Sequence, residues 1–104
     1  MQTLLLICAD ALLSSNIIRN MENEYNVWHV ARQRDAMAWL NQHQPQSIIM
    51  DLDLLGQSAY SVLNKVRSDK TEQQVSIIGV CKSPEPLAPA LVNQMDRLII
   101  NHAV

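Results

Sequence analysis

Apolar runs alternate with amphipathic stretches from one end of the chain to the other, with no repeat, low-complexity tract or linker between them. Thr3–Cys8 (TLLLIC), Ser47–Leu52 (SIIMDL) and Val75–Cys81 (VSIIGVC) are near-continuous apolar runs of strand length. Tyr25–Ala31 (YNVWHVA) alternates weakly and Arg97–Ile100 (RLII) is short; both also read as strands. Between these runs the spacing turns helical. Leu13, Ile17 and Met21 repeat every fourth residue within Leu12–Met21, and Ala36, Trp39 and Leu40 form a stripe within Asp35–His43, bounded by Pro45. Val62, Leu63 and Val66 share a face of Ser58–Ser68, with Lys65 and Arg67 outside it. Pro84–Met95 is a weaker helix. Pro84, Pro86 and Pro89 confine it mostly to its second part, where Leu87, Leu91 and Met95 form its face.

The resulting order is β-α-β-α-β-α-β-α-β. Strands apolar along their whole length, separated by helices, predict a parallel sheet covered on both faces. Right-handed crossovers leave few topologies, and a doubly wound, flavodoxin-like α/β fold with strand order 2-1-3-4-5 suits five strands best. Such folds place their ligand crevice at the carboxyl ends of the strands, at the switch between strands 1 and 3. Asp10 follows the first strand, and Asp51 and Asp53 stand at the end of the third. Acidic residues therefore collect where the fold places its site.

Composition narrows what that site can do. The 104 residues make a single domain, residues 1–104, and a hydrophobic content of 48% suffices for its core. A charged fraction of 17% and a net charge of −2 exclude a disordered tail or a basic arm. The two glycines, Gly56 and Gly79, cannot form a glycine-rich phosphate loop. The few aromatics and the mild acidity argue against direct nucleic-acid binding, and Lys65, Arg67 and Lys70 read as a solvated helix face. Cys8 and Cys81 lie in apolar runs and form neither a disulfide framework nor a zinc motif, and His29, His43 and His102 are scattered. Trp28 and Trp39 read as packing residues and His29 as a structural one. The opening MQTLLLICAD has no basic stretch and an apolar run of only about five residues, short of a signal peptide or membrane span. A cytoplasmic protein without membrane contact is expected.

The stretch QPQSIIMDLDLLGQSAYSVLNKVR (Gln44–Arg67) resembles the central segment of bacterial two-component response-regulator receiver domains, the CheY-like family. In that family an apolar strand ends in a phospho-accepting aspartate, followed by a loop with Pro-Gly and a helix closing on an Ile/Val-Arg pair. Asp51 falls on the acceptor position, Gly56 on the loop glycine, and Val66-Arg67 on the closing pair. ARQRDAMAWLNQHQPQ (Ala31–Gln46) is similar to the family's second helix and its lead into strand 3. The resemblance covers nearly the whole chain in order.

The departures from the family pattern are concentrated in the site. Receiver phosphorylation needs Mg²⁺ to neutralise charge on both the carboxylate and the phosphoryl donor, and the family supplies two adjacent acidic residues after strand 1. Here the sequence is Cys8-Ala9-Asp10, so the pair falls on Cys8-Ala9 or on Ala9-Asp10 depending on the alignment. Asp10 and Asp51 are the candidate metal ligands, with capping of the first helix as the alternative role of Asp10. Asp53 is expected to be solvated or to cap a loop. Cys81 takes the place of the switch Ser/Thr, and a thiol is a much weaker donor than a hydroxyl. Asn101-His102 replaces the lysine-proline at the end of strand 5, which removes a charge-assisted phosphoryl contact. Leu55 replaces the loop proline.

These departures imply a degenerate, non-enzymatic pseudo-receiver: a phosphorylation-independent interaction or dimerisation module that needs no cofactor and regulates an output domain or partner. A phospho-accepting receiver using Asp51 with Mg²⁺ is the alternative. A remoter one is a phosphocysteine protein of the sugar-phosphotransferase IIB type, because CADALLSS (Cys8–Ser15) faintly resembles the cysteine loop of those proteins. The family's last helix is expected to be missing after the fifth strand, leaving one sheet face partly uncovered. Either a partner or a second copy covers that face, or the chain is the N-terminal part of a longer regulator, which is the preferred expectation; both predict association on the strand 4–strand 5 side, through Arg97, Ile99 and His102.

Overall fold

The two most apolar runs become the two central strands. In a computed structural model, which describes residues 1–68 and 74–101, β1 (Gln2–Ile7) and β3 (Ser47–Asp51) lie side by side, and Leu4, Leu5, Leu6, Ile7, Ile48 and Met50 are fully buried. β2 (Tyr25–Val30) flanks β1, β4 (Ser76–Cys81) flanks β3, and β5 (Arg97–Ile100) forms the far edge. Every pairing is parallel and the order is β2-β1-β3-β4-β5, the doubly wound flavodoxin-like arrangement expected from the apolar pattern.

The helices divide unequally between the two faces. Leu5, Ile7, Ile48, Met50, Ile77 and Cys81 point to one side. There they pack with Ala36 and Leu40 of α2 (Gln33–Leu40), Leu52 and Leu55 of α3 (Leu52–Leu55), Val62, Leu63 and Val66 of α4 (Ala59–Ser68), and Leu91 of α5 (Pro89–Val92). Leu4, Leu6, Cys8, Ile49 and Val80 point to the other side, where α1 (Ala11–Met21) brings Leu13, Ile17, Ile18 and Met21 against them. Among the described residues, α1 is the only helix on that face. Alternation along β5 leaves Arg97 and Ile99 exposed, with Ile99 paired to Val80 and 42% accessible.

Local departures from the sequence-based expectation have identifiable causes. α2 starts at Gln33, two residues earlier than the periodicity predicts, and ends at Leu40 rather than His43. His43 instead stacks on Trp39, ring centroids 4.7 Å apart, and Trp39 tilts against the half-exposed Trp28 of β2 at 6.3 Å, so the tryptophans pack as expected. β3 ends one residue short of Leu52 because Asp51 caps a short helix, α3, that the apolar run conceals. A 3₁₀ turn, Gly56–Ser58, joins α3 to α4, and Gly56 sits at φ +51°, the left-handed region in which its lack of a Cβ matters. α5 shrinks to four residues with Pro89 in its first turn, as the prolines dictate. Arg67 of the Val-Arg pair donates to the side-chain and backbone oxygens of Gln94, tying α4 to the segment before β5. Lys70 and His102 lie outside the described residues.

At Gly79 the sheet and the layer packed on it come close together. A Cβ there would stand 2.7 Å from Leu52 Cδ1 and 2.9 Å from Met95 Sδ, and Leu52 is fully buried with little room to yield. Gly79→Ala is expected to cost about 1–3 kcal/mol through overpacking, read as a lowered Tm in thermal denaturation.

Candidate functional site

The carboxyl ends of the strands converge on an open cleft of about 230 Å³ lined by Ala9, Asp10, Asp51, Asp53, Lys82 and Asn101, among others. The fold thus brings together four of the residues that the sequence singles out. The fifth, Cys81, is buried at the end of β4 instead of lining the cleft.

Each carboxylate at this end has a donor of its own. Asp10 is the N-cap of α1, its Oδ1 accepting from the Leu13 amide at 3.1 Å. Asp51 caps α3, with Oδ1 accepting from the amides of Asp53 (3.1 Å) and Leu54 (3.3 Å). Its other oxygen, Oδ2, accepts from the thiol of Cys8 with the sulfur 3.8 Å away. Asp53 Oδ2 accepts from the backbone N–H of Lys82 at 2.8 Å, joining α3 to the chain leaving β4. Asp10 therefore takes its capping role, and Asp53 ties a loop.

The end of β1 is braced from the edge of the sheet. The Cys8 carbonyl lies 2.7 Å from His29 Nε2 on β2, which donates to it with its proton on that nitrogen, and Ser14 Oγ sits 3.2 Å from the same nitrogen. Ser14 is buried in the first turns of α1, so β1, β2 and α1 meet at this carbonyl. His29 is thereby a structural residue, as its place on a strand suggests.

Burial sets the electrostatics. It lifts the Asp51 carboxyl above the ordinary carboxylate range, against the pull of the Leu54 and Asp53 amides and the Cys8 thiol, while the Asp53 charge adds to the rise. Burial also pushes the Cys8 thiol up, and the charges of Asp51 and Asp10 act in the same direction. Cys81 is raised by burial and then by Asp53 and Asp51. A reactive cysteine requires an accessible, stabilised thiolate. Cys8 is 1% exposed and sits beside a carboxylate, which runs against the phosphocysteine alternative.

The carboxylates available to a magnesium ion at this cleft are already engaged. Mg²⁺ takes an octahedral shell of oxygens, in which one or two carboxylates and several waters can suffice; among the described residues no group of three or more His, Cys, Asp or Glu side chains stands together in a way that could hold a metal. Asp10, one of the two expected ligands, is engaged at the helix cap. The other, Asp51, faces a protonated sulfur. Two features of the site escape sequence reasoning. Lys82 enters the cleft only because β4 ends beside β3, and its signal is a single cation directly after the Val75–Cys81 run. The Cys8–Asp51 contact joins residues 43 apart in the chain, and no local pattern announces it.

No family model matches the chain, and no curated protein sequence does. Solved structures do. A CheY-like response-regulator receiver domain from Methylobacillus flagellatus superposes with a TM-score of 0.81 at 14% identity, over 100% of this chain and 89% of that one. The receiver domain of a sensor histidine kinase from Pseudomonas aeruginosa, solved with magnesium in its active-site cleft, gives 0.76 at 19% identity, over 99% and 87%. The pseudo-receiver domain of the CikA protein gives 0.75 at 16% identity, over 97% and 85%. The chain has the receiver fold.

The raised Asp51 carboxyl carries a stability consequence. Above its folded-state pKa the buried charge costs the protein stability in full; below the unfolded value, about pH 4, the cost is absent. Asp51→Asn keeps an oxygen for the α3 cap and removes the charge. The variant is expected to melt higher than the parent at pH 7, with the difference shrinking as the pH falls toward about 4; thermal denaturation across that range checks it.

Proposed function

We propose that this chain is a pseudo-receiver: a signalling module that works through protein interaction, independently of phosphoryl transfer, and regulates an output domain or a partner. The observation that carries this reading is that Asp10, Asp51 and Asp53 are each bound to a backbone or thiol donor that serves the fold. A phospho-acceptor must exchange such partners for a cation and an incoming phosphoryl group. Cys81 and Asn101 add no strong donor or cation in the positions where the family resemblance implies a hydroxyl and a lysine. The fold alone serves both kinds of domain, since the similar structures include a magnesium-bound receiver and a pseudo-receiver.

The interaction surface we assign lies on the thinly covered face. Leu13 and Ile17 of α1, Ile49, Val80 and Ile99 line an apolar cleft between α1 and the edge strand β5. Arg97 lies on the same face of β5 and is exposed, so an apolar centre has a charged rim. His102, the third expected interface residue, is outside the described residues. A second copy, a partner, or another segment of a longer regulatory protein would bury this cleft, consistent with a place in the N-terminal part of such a regulator. Among the described residues no helix is long and apolar enough to cross a membrane, and the proposed setting is the cytoplasm.

Incubation with Mg²⁺ and acetyl phosphate is expected to leave the mass of the intact protein unchanged. A phosphoryl adduct that disappears in Asp51→Asn would replace this reading with the phospho-accepting one. Sedimentation at increasing concentration is expected to show self-association, which Ile99→Lys weakens by about tenfold or more. A monodisperse monomer throughout would remove self-association through this face.

A further inference from the structure

We infer that Cys8 is the residue that closes the carboxyl-end cleft to divalent cations, its thiol occupying the place in which a carboxylate would complete an oxygen donor set around Asp51. The inference deepens the pseudo-receiver reading and rests on it.

The geometry first decides the alignment. Asp10 is the N-cap of α1, with extended backbone (φ −77°, ψ 113°) and its Oδ1 on the Leu13 amide. It belongs to the helix entry rather than to the end of β1. The two residues that directly follow β1 are Cys8 and Ala9. Of these, Cys8 is still held in the sheet by its N–H to the Val30 carbonyl at 3.0 Å. An acidic pair at this strand end would therefore stand at Cys8-Ala9, and neither residue is acidic.

What Cys8 does in that position follows from its contacts. Its sulfur lies 3.8 Å from Asp51 Oδ2 and 3.6 Å from the Asp10 carbonyl, so its one proton is shared between the Asp51 oxygen that would otherwise face a cation and a carbonyl that already accepts from the Ser14 amide. The backbone brace through His29 and Ser14 fixes the Cys8 carbonyl, and with it the direction in which the side chain leaves the strand. A carboxylate in place of the thiol would reverse this logic. Two carboxylates pressed together cannot both remain ionised without a cation between them, and hard oxygens are what Mg²⁺ and Mn²⁺ select. The remaining parts of a cation site, Asp51 and the open cleft beside it, are already in place. Cys8 thus holds the place in which a second carboxylate would face Asp51.

Mn²⁺ titration followed by paramagnetic broadening of backbone amide signals tests the inference. The parent chain and Cys8→Ser, which keeps a donor for Asp51, are expected to show no broadening centred on the cleft. Cys8→Asp is expected to bind at least about tenfold more tightly, with broadening centred on Asp51 and Ala9. Parent binding as tight as that of Cys8→Asp, or a folded Cys8→Asp variant that gains nothing, overturns the inference.

A second arm avoids a buried carboxylate. Ala9 is exposed and lines the same cleft, so A9D supplies an accessible ligand. The double variant C8A/A9D, which removes the donor facing Asp51, is expected to bind Mn²⁺ about tenfold more tightly than A9D with Cys8 intact; equal affinities contradict the role given to Cys8. The acetyl phosphate experiment separates the two readings. A parent chain that binds Mn²⁺ at the cleft yet gains no mass sinks this inference alone. One that gains a phosphoryl group at Asp51 sinks the pseudo-receiver reading, whatever its affinity for Mn²⁺.

Discussion

The carboxyl end of this sheet depends on how one carboxylate is satisfied. Asp51 ends β3, and its two oxygens take donors from two directions: the first turn of α3 on one, the thiol following β1 on the other. α3 has only four residues, far too few to hold itself as an isolated helix. Its cap and the burial of Leu52 and Leu55 are what keep it in place. α3 then carries Asp53 to the Lys82 amide, so the ends of β1, β3 and β4 are linked through one short helix. Asp51 and Asp53 are thus joints between elements of the scaffold. The lift in the Asp51 carboxyl comes from its burial, with the Asp53 charge adding to it, and the donors on its oxygens work against it.

The amino end of the sheet uses the same device with different residues. Gln46 accepts from the Thr3 amide through Oε1 at 2.6 Å, holding β3 to β1. Asp96 accepts from the Ile77 amide at 2.7 Å, holding β5 to β4. Polar side chains at both ends stitch strands whose middles are wholly apolar. The contrast lies in the faces. Among the described residues, four helices bury one side of the sheet and α1 covers the other, so Ile99 and its neighbours stay accessible beside a well-packed core.

Much of this was legible in the residues. Continuous apolar runs such as Thr3–Cys8 specify strands buried on both faces, and with helices between them the parallel order follows from handedness. The position of the cleft followed as well, and Asp10, Asp51, Asp53 and Asn101 all line it. The sequence pattern was silent where a capping bond or a tertiary contact overrides the apolar spacing. Leu52 reads as the last residue of an apolar strand, yet it starts a helix because Asp51 caps it. Cys8 reads as an ordinary buried residue, and its partner is visible only once β1 and β3 lie side by side. Lys82 is an exposed lysine that acquires a place in the cleft through topology alone. The two candidate alignments of the acidic pair differ by one residue, and only the cap geometry of Asp10 separates them.

The claim at the centre of this account is that the Cys8 thiol and the Asp51 carboxylate form a working interaction. A double-mutant cycle with Cys8→Ala, Asp51→Ala and the double variant, measured by denaturant unfolding, tests it directly, because the cycle cancels the lost cap and the lost sulfur volume. The account predicts a favourable coupling of about 0.5–1 kcal/mol. Costs that add within about 0.3 kcal/mol would contradict it, and would return Asp51 to the status of a carboxylate held by its helix cap alone.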